Sequence, residues 1–218
     1  MSVRIKICGV KRVEDVLAAQ RAGAHAIGIN FVPESSRFIG SVAHANELIV
    51  NSAAPNLLWA GVFANPTDSE IDAAIAAGIR VIQLHGEETP ETAARLRGRL
   101  KPEVQIWKAF RIATASDLTQ LAAFSSCEAW LLDAKAPGTR GGSGHAFDWD
   151  LLNGLARTKP IVLAGGLHPD NVQDAVRRVR PEWIDVASGV ESAPAVKDAA
   201  KIERFIKEAN LGAVGAQK

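Results

Sequence analysis

The chain has 218 residues, of which 47% are hydrophobic and 22% are charged, and these fractions are typical of a globular protein. Its 25 basic and 24 acidic residues give a net charge of +1, which argues against nucleic acid or an anionic membrane as a partner. No apolar run approaches the ~18 residues that span a bilayer. Charges also interrupt the N-terminal apolar stretch where a signal peptide would lie, so we expect a cytoplasmic protein.

Short apolar runs alternate along the chain with Ala-rich amphipathic stretches, which predicts strands that are each followed by a helix. The predicted strands cover Val3–Ile7, Ala26–Phe31, Leu57–Phe63, Val81–Leu84, Val104–Ala109, Ala129–Asp133, Pro160–Leu163 and Trp183–Ala187. The predicted helices cover Val13–Ala22, Ala43–Asn51, Asp68–Ala77, Pro90–Leu100, Ser116–Phe124, Trp149–Ala156, Pro169–Val179 and Lys197–Ala209. We expect a frayed tail from about Asn210.

Successive strand–helix units predict parallel strands with right-handed crossovers. Eight of them predict one (β/α)8 TIM barrel, a single domain over residues 1–218. A doubly wound sheet is the alternative, but it usually has fewer strands, and no G-x-G-x-x-G motif follows the first strand. Because barrel enzymes carry their active residues where the strands end, the functional candidates are the polar residues at those ends.

The first predicted strand alternates between polar and apolar side chains. Arg4, Lys6 and Cys8 share the face that we expect to line the barrel interior, and Ile5 and Ile7 share the face toward the helices. Cys8 lies at the carboxyl end of this strand and precedes a glycine. It is therefore either a reactive thiol or a buried structural one.

Asp133 ends an apolar run, where a carboxylate is costly unless it pairs or takes part in chemistry. Asp133 and Asp185 are the predicted interior partners of Lys6. A structural ion pair of Asp133 with Lys6 or Lys135 is the alternative to a catalytic role.

The two cysteines, Cys8 and Cys127, are predicted at opposite ends of their strands, beyond the reach of a disulfide. Neither they nor the five histidines have the spacing of metal ligands. We therefore expect no disulfide, no bound metal and no cofactor.

The loop Ala134–Gly144 is long for a strand–helix connection and rich in glycine, including Gly141, Gly142 and Gly144. It also carries the basic residues Lys135 and Arg140. These features favour a mobile lid that orders over an anion. A disordered insertion is the alternative.

Glycine-containing turns follow the last two predicted strands. Gly165 and Gly166 follow the seventh strand, and Ser188 and Gly189 follow the eighth. Glycine lets backbone N–H groups approach an anion closely, and barrels often bind phosphate between these two loops. The pattern predicts a phosphate site, although tight turns alone would also require glycine.

Two further candidates lie beyond strands two and four. Arg37 has the planar fork that binds a carboxylate bidentately, or it is a solvated loop residue. His85 either lines the pocket or bonds to backbone. Tryptophans such as Trp59 and Trp107 are interpreted as packing residues.

Motifs along nearly the whole chain resemble, in order, those of the phosphoribosylanthranilate isomerase family of tryptophan biosynthesis. The matching segments are Lys6–Gly9, Pro33–Arg37, Gly61–Phe63, Gln83–Gly86, Leu132–Asp133, Gly141–Gly144 with Phe147 and Trp149, Ala164–Leu167 with Pro169 and Asn171–Val172, and Asp185 with Ser188–Glu191.

The resemblance implies an Amadori rearrangement of a small phosphorylated substrate. It further implies Asp133 as general acid, Cys8 as general base and Arg37 as the residue that binds the anthranilate carboxylate. The strand seven and eight loops would hold the phosphate, with His85 and Asp185 supporting substrate binding. We expect a monomer rather than a homodimer.

This chemistry needs a thiolate and a carboxylic acid, the reverse of what unperturbed cysteine and aspartate provide at pH 7. We therefore expect Lys6 or backbone dipoles to lower the pKa of Cys8, and we expect the Cys8–Asp133 titrations to be coupled.

Two alternatives belong to other functions. The histidine-pathway isomerase catalyses an analogous rearrangement, but it has aspartate where this chain has Cys8, binds two phosphates and shows half-barrel repetition. A non-catalytic barrel that binds a sugar phosphate would not require both Cys8 and Asp133.

Overall fold

The structure is a computed structural model that describes residues 2–134 and 147–215. Its barrel strands are β1 (Arg4–Cys8), β2 (Ala26–Asn30), β3 (Leu58–Phe63), β4 (Val81–Leu84), β5 (Gln105–Ile112), β6 (Ala129–Ala134), β7 (Ile161–Leu163) and β8 (Trp183–Val186). A short antiparallel pair follows, β9 (Glu191–Ala193) and β10 (Val196–Lys197). The α-helices are α1 (Val13–Ala22), α2 (Val42–Ser52), α3 (Asp68–Ala76), α4 (Pro90–Arg99), α5 (Val172–Val179) and α6 (Ala199–Gly215).

The eight strands form a closed barrel in chain order, and every neighbouring pair is parallel. Closure comes from β1 pairing with β8, which places Lys6 opposite Asp185. The predicted TIM barrel is therefore confirmed, and the carboxyl ends of all eight strands meet at one rim.

Local signals set the ends of several helices. Thr67 and Glu70 form a reciprocal capping box at the start of α3, so two otherwise unpaired N–H groups are satisfied. Pro90 occupies the first turn of α4, where its missing N–H costs nothing. Gly23 ends α1 at a φ of 97°, a left-handed conformation that glycine adopts without strain.

Strand alternation divides the core into two layers. Ile5 and Ile7 pack outward against the helices, whereas Trp107 and Trp183 lie in a smaller apolar cluster inside the barrel. The two indole rings are 5.2 Å apart, and the guanidinium of Arg4 lies 4.4 Å from the Trp183 ring. Together these side chains plug the amino-terminal end of the barrel.

Two of the segments predicted as α-helices form only 3-10 helices. Residues 116–124 form two short 3-10 helices, Ala115–Leu118 and Leu121–Phe124. Between them Thr119 donates a hydroxyl hydrogen bond to the Ser116 carbonyl, and Gln120 donates a side-chain bond to the Asp117 carbonyl. These side chains compete for carbonyls that a continuous helix would use.

The helix predicted over Trp149–Ala156 is also only a 3-10 turn, Trp149–Leu152. It ends just before Gly154, whose φ of 78° cannot continue a right-handed helix. The seventh predicted helix begins later than expected, at Val172 instead of Pro169.

The chain does not fray at Asn210 as predicted, because α6 continues to Gly215. Ala209 and Ala213 are buried in the core, and Gly212 lies against Val176 of α5. This packing offsets the low helix propensity of the glycines in the segment. Among the residues that the structure describes, no helix is long and apolar enough to cross a membrane.

Candidate active site

The carboxyl ends of the strands open into a cavity of about 550 Å³, a volume suited to a small-molecule ligand. Most of the predicted site residues line it: Cys8, Arg37, His85, Asp133, Gly165, Gly166, Asp185 and Ser188. Gly189 is not among the lining residues, because it packs against the Leu167 carbonyl instead. The predicted lid residues Gly141, Gly142 and Gly144 lie outside the described residues.

A buried ion pair lies at the base of this cavity. Lys6 Nζ is 2.9 Å from Asp185 Oδ1, and the exposed fractions of the two side chains are 0% and 8%. Of the two partners predicted for Lys6, the structure selects Asp185. The pair compensates two charges that would otherwise be costly inside the barrel.

Because Gly28 has no side chain, the side chains of Cys8 and Lys6 have room beside β2. A Cβ atom built at Gly28 would lie 2.7 Å from Cys8 Sγ and 2.9 Å from Lys6 Nζ. Any side chain on this position of β2 would therefore displace the thiol, the ammonium group or both.

Electrostatics around Cys8 contradict the expected lowering of its pKa. Burial raises the pKa of the Cys8 thiol, and the neighbouring Asp185 carboxylate raises it further; Lys6 lowers it, but by less. Burial alone would lower the pKa of Lys6, but the charges of Asp185 and Cys8 outweigh burial and raise it. The predicted effect of Lys6 is present, but burial and the Asp185 carboxylate outweigh it.

His85 faces the cavity between two polar partners. Its Nε2 lies 3.4 Å from Asp133 Oδ2, and its Nδ1 lies 3.3 Å from Gln83 Nε2. Its backbone N–H donates to the Phe63 carbonyl at 2.7 Å, which fixes the residue at the end of β4. Asp133 is therefore next to His85, and not next to Lys6 as one prediction had it.

The turn after β7 passes directly beside Asp133. Gly165 has a φ of 80°, and a Cβ atom placed there would overlap the backbone N of Ala134 and lie 2.6 Å from Asp133 Oδ1. Gly166 also has a positive φ, and its carbonyl accepts a bond from the Asn171 side chain at 2.9 Å. The glycines of this turn are therefore required by geometry and by close approach to Asp133.

Arg37 is not a solvated loop residue. Its Nε and Nη2 donate to the two carboxylate oxygens of Glu191 at 2.7 and 2.8 Å. Lys197 Nζ donates to Glu191 at 2.8 Å and to the Ala187 carbonyl at 3.0 Å. Burial alone would raise the pKa of Glu191, but the bonds from Arg37 and Lys197 outweigh burial and lower it.

Sequence reasoning assigned no role to Gln83, Glu191 or Lys197. Strand alternation could have identified Gln83. Val81 and Gln83 of β4 and His85, which directly follows it, lie on the same face, and this face points into the barrel. The pairing of Arg37 with Glu191 joins residues 154 positions apart and had no comparable signal. Across residues 2–134 and 147–215, no group of three or more His, Cys, Asp or Glu side chains is arranged to hold a metal.

Several known proteins similar to this chain are named for one activity. A family model described as N-(5′-phosphoribosyl)anthranilate isomerase matches residues 5–208. The isomerase of that name from Thiobacillus denitrificans is 43% identical over 211 residues, which is 96% of this chain and 98% of the relative. The crystal structure of the Thermotoga maritima phosphoribosyl anthranilate isomerase is 36% identical, with a TM-score of 0.86 over 95% of this chain and 98% of that one.

A further solved phosphoribosyl anthranilate isomerase contains a bound molecule. It is 35% identical to this chain, with a TM-score of 0.83 over 95% of this chain and 98% of that one. That protein is in complex with reduced 1-(o-carboxyphenylamino)-1-deoxyribulose 5-phosphate.

Proposed function

The chain belongs to the N-(5′-phosphoribosyl)anthranilate isomerase family, and we propose that it catalyses an Amadori rearrangement by general acid–base catalysis. The substrate is N-(5-phosphoribosyl)anthranilate and the product is 1-(2-carboxyphenylamino)-1-deoxyribulose 5-phosphate. The observation that carries the proposal is that Cys8 and Asp133 line one cavity together with the glycine turn after β7. The ligand of the solved relative, a reduced form of this product, supports the same substrate class.

The reaction divides between two residues in this proposal. Asp133 gives a proton to the furanose ring oxygen, and the C1–O bond breaks to leave a Schiff base between C1 and the anthranilate nitrogen. The Cys8 thiolate then removes the proton from C2, which gives an enolamine. Tautomerisation of the enolamine to the C2 ketone completes the isomerisation, and return of the proton from Cys8 to Asp133 restores both residues, so no atoms are gained or lost overall.

The substrate has a phosphate at one end and the anthranilate carboxylate at the other, and each requires its own binding site. We assign phosphate binding to the residues of the two turns that line the cavity, Gly165, Gly166 and Ser188. Gly189 belongs to the same site, because it packs against the Leu167 carbonyl and so sets the shape of the turn after β8. Arg37 is our binding residue for the anthranilate carboxylate. Glu191 occupies the Nε–Nη2 edge of the Arg37 guanidinium, so this edge is fixed before substrate arrives and the Nη1 group is left for the substrate carboxylate.

Glu191→Gln is expected to raise KM about tenfold, the equivalent of ~1.4 kcal/mol, with a smaller effect on kcat. The amide cannot accept both N–H bonds from Arg37, so the guanidinium loses its fixed orientation. Steady-state kinetics checks this. Asp68→Asn is the matched control, because it breaks another two-bond pair, with Arg95, on the exposed surface. An unchanged KM in Glu191→Gln beside a raised KM in Arg37→Ala would contradict the positioning role.

The thiolate fraction of Cys8 is expected to rise with pH only through the alkaline range. Burial raises the pKa of the Cys8 thiol, so the thiolate that acts as base becomes abundant only above the ordinary thiol value of about 8.5. The ultraviolet absorbance of the thiolate, followed against pH in a Cys127→Ala background, should show this ascending limb. In Cys8→Ser the limb should be lost; the same limb in both proteins would mean that Cys8 is not the titrating group.

The direct test uses purified protein and freshly generated N-(5-phosphoribosyl)anthranilate. Loss of the anthranilate-type fluorescence measures turnover, and borohydride reduction of the product followed by chromatography identifies the deoxyribulose skeleton. No turnover, together with persistent binding of the sugar phosphate, would instead favour a non-catalytic barrel. Turnover of only the histidine-pathway substrate would favour the other isomerase.

We further propose that the substrate is the only partner required for activity and that the chain acts as a monomer. One chain supplies both Cys8 and Asp133 to the cavity, so neither proposed catalytic residue has to come from a second copy. Sedimentation velocity under assay conditions checks it, and an active species that exists only as a dimer would contradict it.

A further inference from the structure

Gln83 is a buried polar residue that the mechanism above does not use. It lies on β4 between Ile82 and Leu84, which face the outer core, and only 1% of it is exposed. Its side chain points into the barrel and lines the same cavity as Cys8 and Asp133. A neutral amide in this place must satisfy its hydrogen bonds inside the barrel.

One end of the amide contacts His85. Gln83 Nε2 lies 3.3 Å from His85 Nδ1. An NH2 group can only donate, so Nδ1 acts as the acceptor, and the proton of the neutral ring is on Nε2. His85 Nε2 lies 3.4 Å from Asp133 Oδ2, a polar contact longer than an ordinary hydrogen bond.

The other end of the amide is unsatisfied. Gln83 Oε1 is buried and has no hydrogen-bond partner among the residues that the structure describes. A buried carbonyl without a donor is energetically costly, and native structures contain few of them. The Gln83 side chain therefore contacts His85 through its nitrogen, while its oxygen has no surface open to the cavity.

We propose that Gln83 is a positioning residue that holds His85 in the tautomer with its proton on Nε2. The inference rests on the proposed function for the role of Asp133 as the acid. It links Gln83 through His85 to Asp133 by two polar contacts.

The tautomer of His85 matters for the first proton transfer. When Asp133 gives its proton to the ring oxygen, negative charge develops on its carboxylate. A hydrogen on His85 Nε2, which lies 3.4 Å from Oδ2, stabilises that charge as it forms. In the opposite tautomer a bare Nε2 lone pair would face the carboxylate and oppose the transfer.

The tautomer is measured by nitrogen NMR on protein labelled with 15N-histidine, with His85→Asn used to assign the His85 signals among the five histidines. We expect the wild type to show His85 with its proton on Nε2 and Gln83→Met to lose this preference. A wild-type spectrum with the proton on Nδ1 would mean that the amide has the opposite orientation, and it would overturn the proposal. The wild-type spectrum alone decides the tautomer, and recording it requires neither turnover nor a Gln83 variant.

Kinetics tests the consequence. Gln83→Met is expected to lower kcat about 10-fold, because His85 loses its preferred tautomer, and to leave KM nearly unchanged. The matched control is Gln105→Met, since Gln105 also has a side-chain bond within the barrel, to Trp107 at 2.9 Å, but lies outside the cavity.

The outcomes are distinguishable. Wild-type kinetics in Gln83→Met would overturn the inference while leaving the proposed function intact. A higher KM with an unchanged kcat would also overturn it, because the positioning role predicts a loss in kcat. An inactive wild type would reject the proposed function, and the tautomer measurement would still decide the His85 orientation.

Discussion

Cys8→Ala and Asp133→Asn are each expected to lower kcat by about 10²- to 10⁴-fold, the usual contribution of a general base or acid. The alanine removes the only group that we assign to take the C2 proton, and the asparagine cannot give a proton to the ring oxygen. Both changes are small in volume, so the barrel should fold. Stopped-flow or steady-state fluorescence measures the loss, and circular dichroism checks the fold.

The second cysteine supplies a control for the first. Cys127 is fully buried before β6 and lies outside the cavity, and burial raises its pKa to about 11. Cys127→Ala therefore removes a buried thiol without touching the site, and kcat should stay at the wild-type value. Turnover that survives in Cys8→Ala would keep the isomerase assignment and transfer the role of base to another group.

Gly165→Ala is expected to lower kcat about 10²-fold and to destabilise the protein by about 1–3 kcal/mol. Its φ of 80° is strained for alanine, and the added Cβ would press against Ala134 N and Asp133 Oδ1. The acid would move away from the ring oxygen that it must protonate. Urea unfolding and kcat measure the two effects separately.

Gly154→Ala separates backbone strain from displacement of the acid. Gly154 has a similar φ of 78°, but a Cβ atom there would meet nothing within 4 Å. We expect it to lose stability without losing kcat. Equal losses of kcat in both variants would mean that the approach of Gly165 to Asp133 is unimportant for catalysis.

Much of the site is predictable because strand periodicity is simple. Alternation along β1 places Lys6 and Cys8 inside the barrel, and the cost of a buried charge then requires an acidic partner such as Asp185. The rule that barrel chemistry occurs where strands end identifies Asp133 and His85 as cavity residues without any knowledge of the loops.

Features that depend on several elements at once were not predictable. The path of the loop after β2 decides whether Arg37 meets solvent or Glu191, and no local pattern encodes that path. The pKa of Cys8 depends on the balance between burial, Asp185 and Lys6, and sequence gives their presence but not their relative strengths. The short 3-10 helices arise because side chains such as Thr119 capture backbone carbonyls, an effect that helical periodicity does not reveal.

The tryptophan plug determines how molecules enter and leave. Trp107, Trp183 and Arg4 close the barrel at its amino-terminal end, so the cavity has its mouth at the opposite rim. Substrate and product therefore use the same opening, and each product must leave before the next substrate can bind. Product and substrate therefore exclude one another, and accumulated product should behave as a competitive inhibitor that slows the enzyme when the next pathway step is saturated.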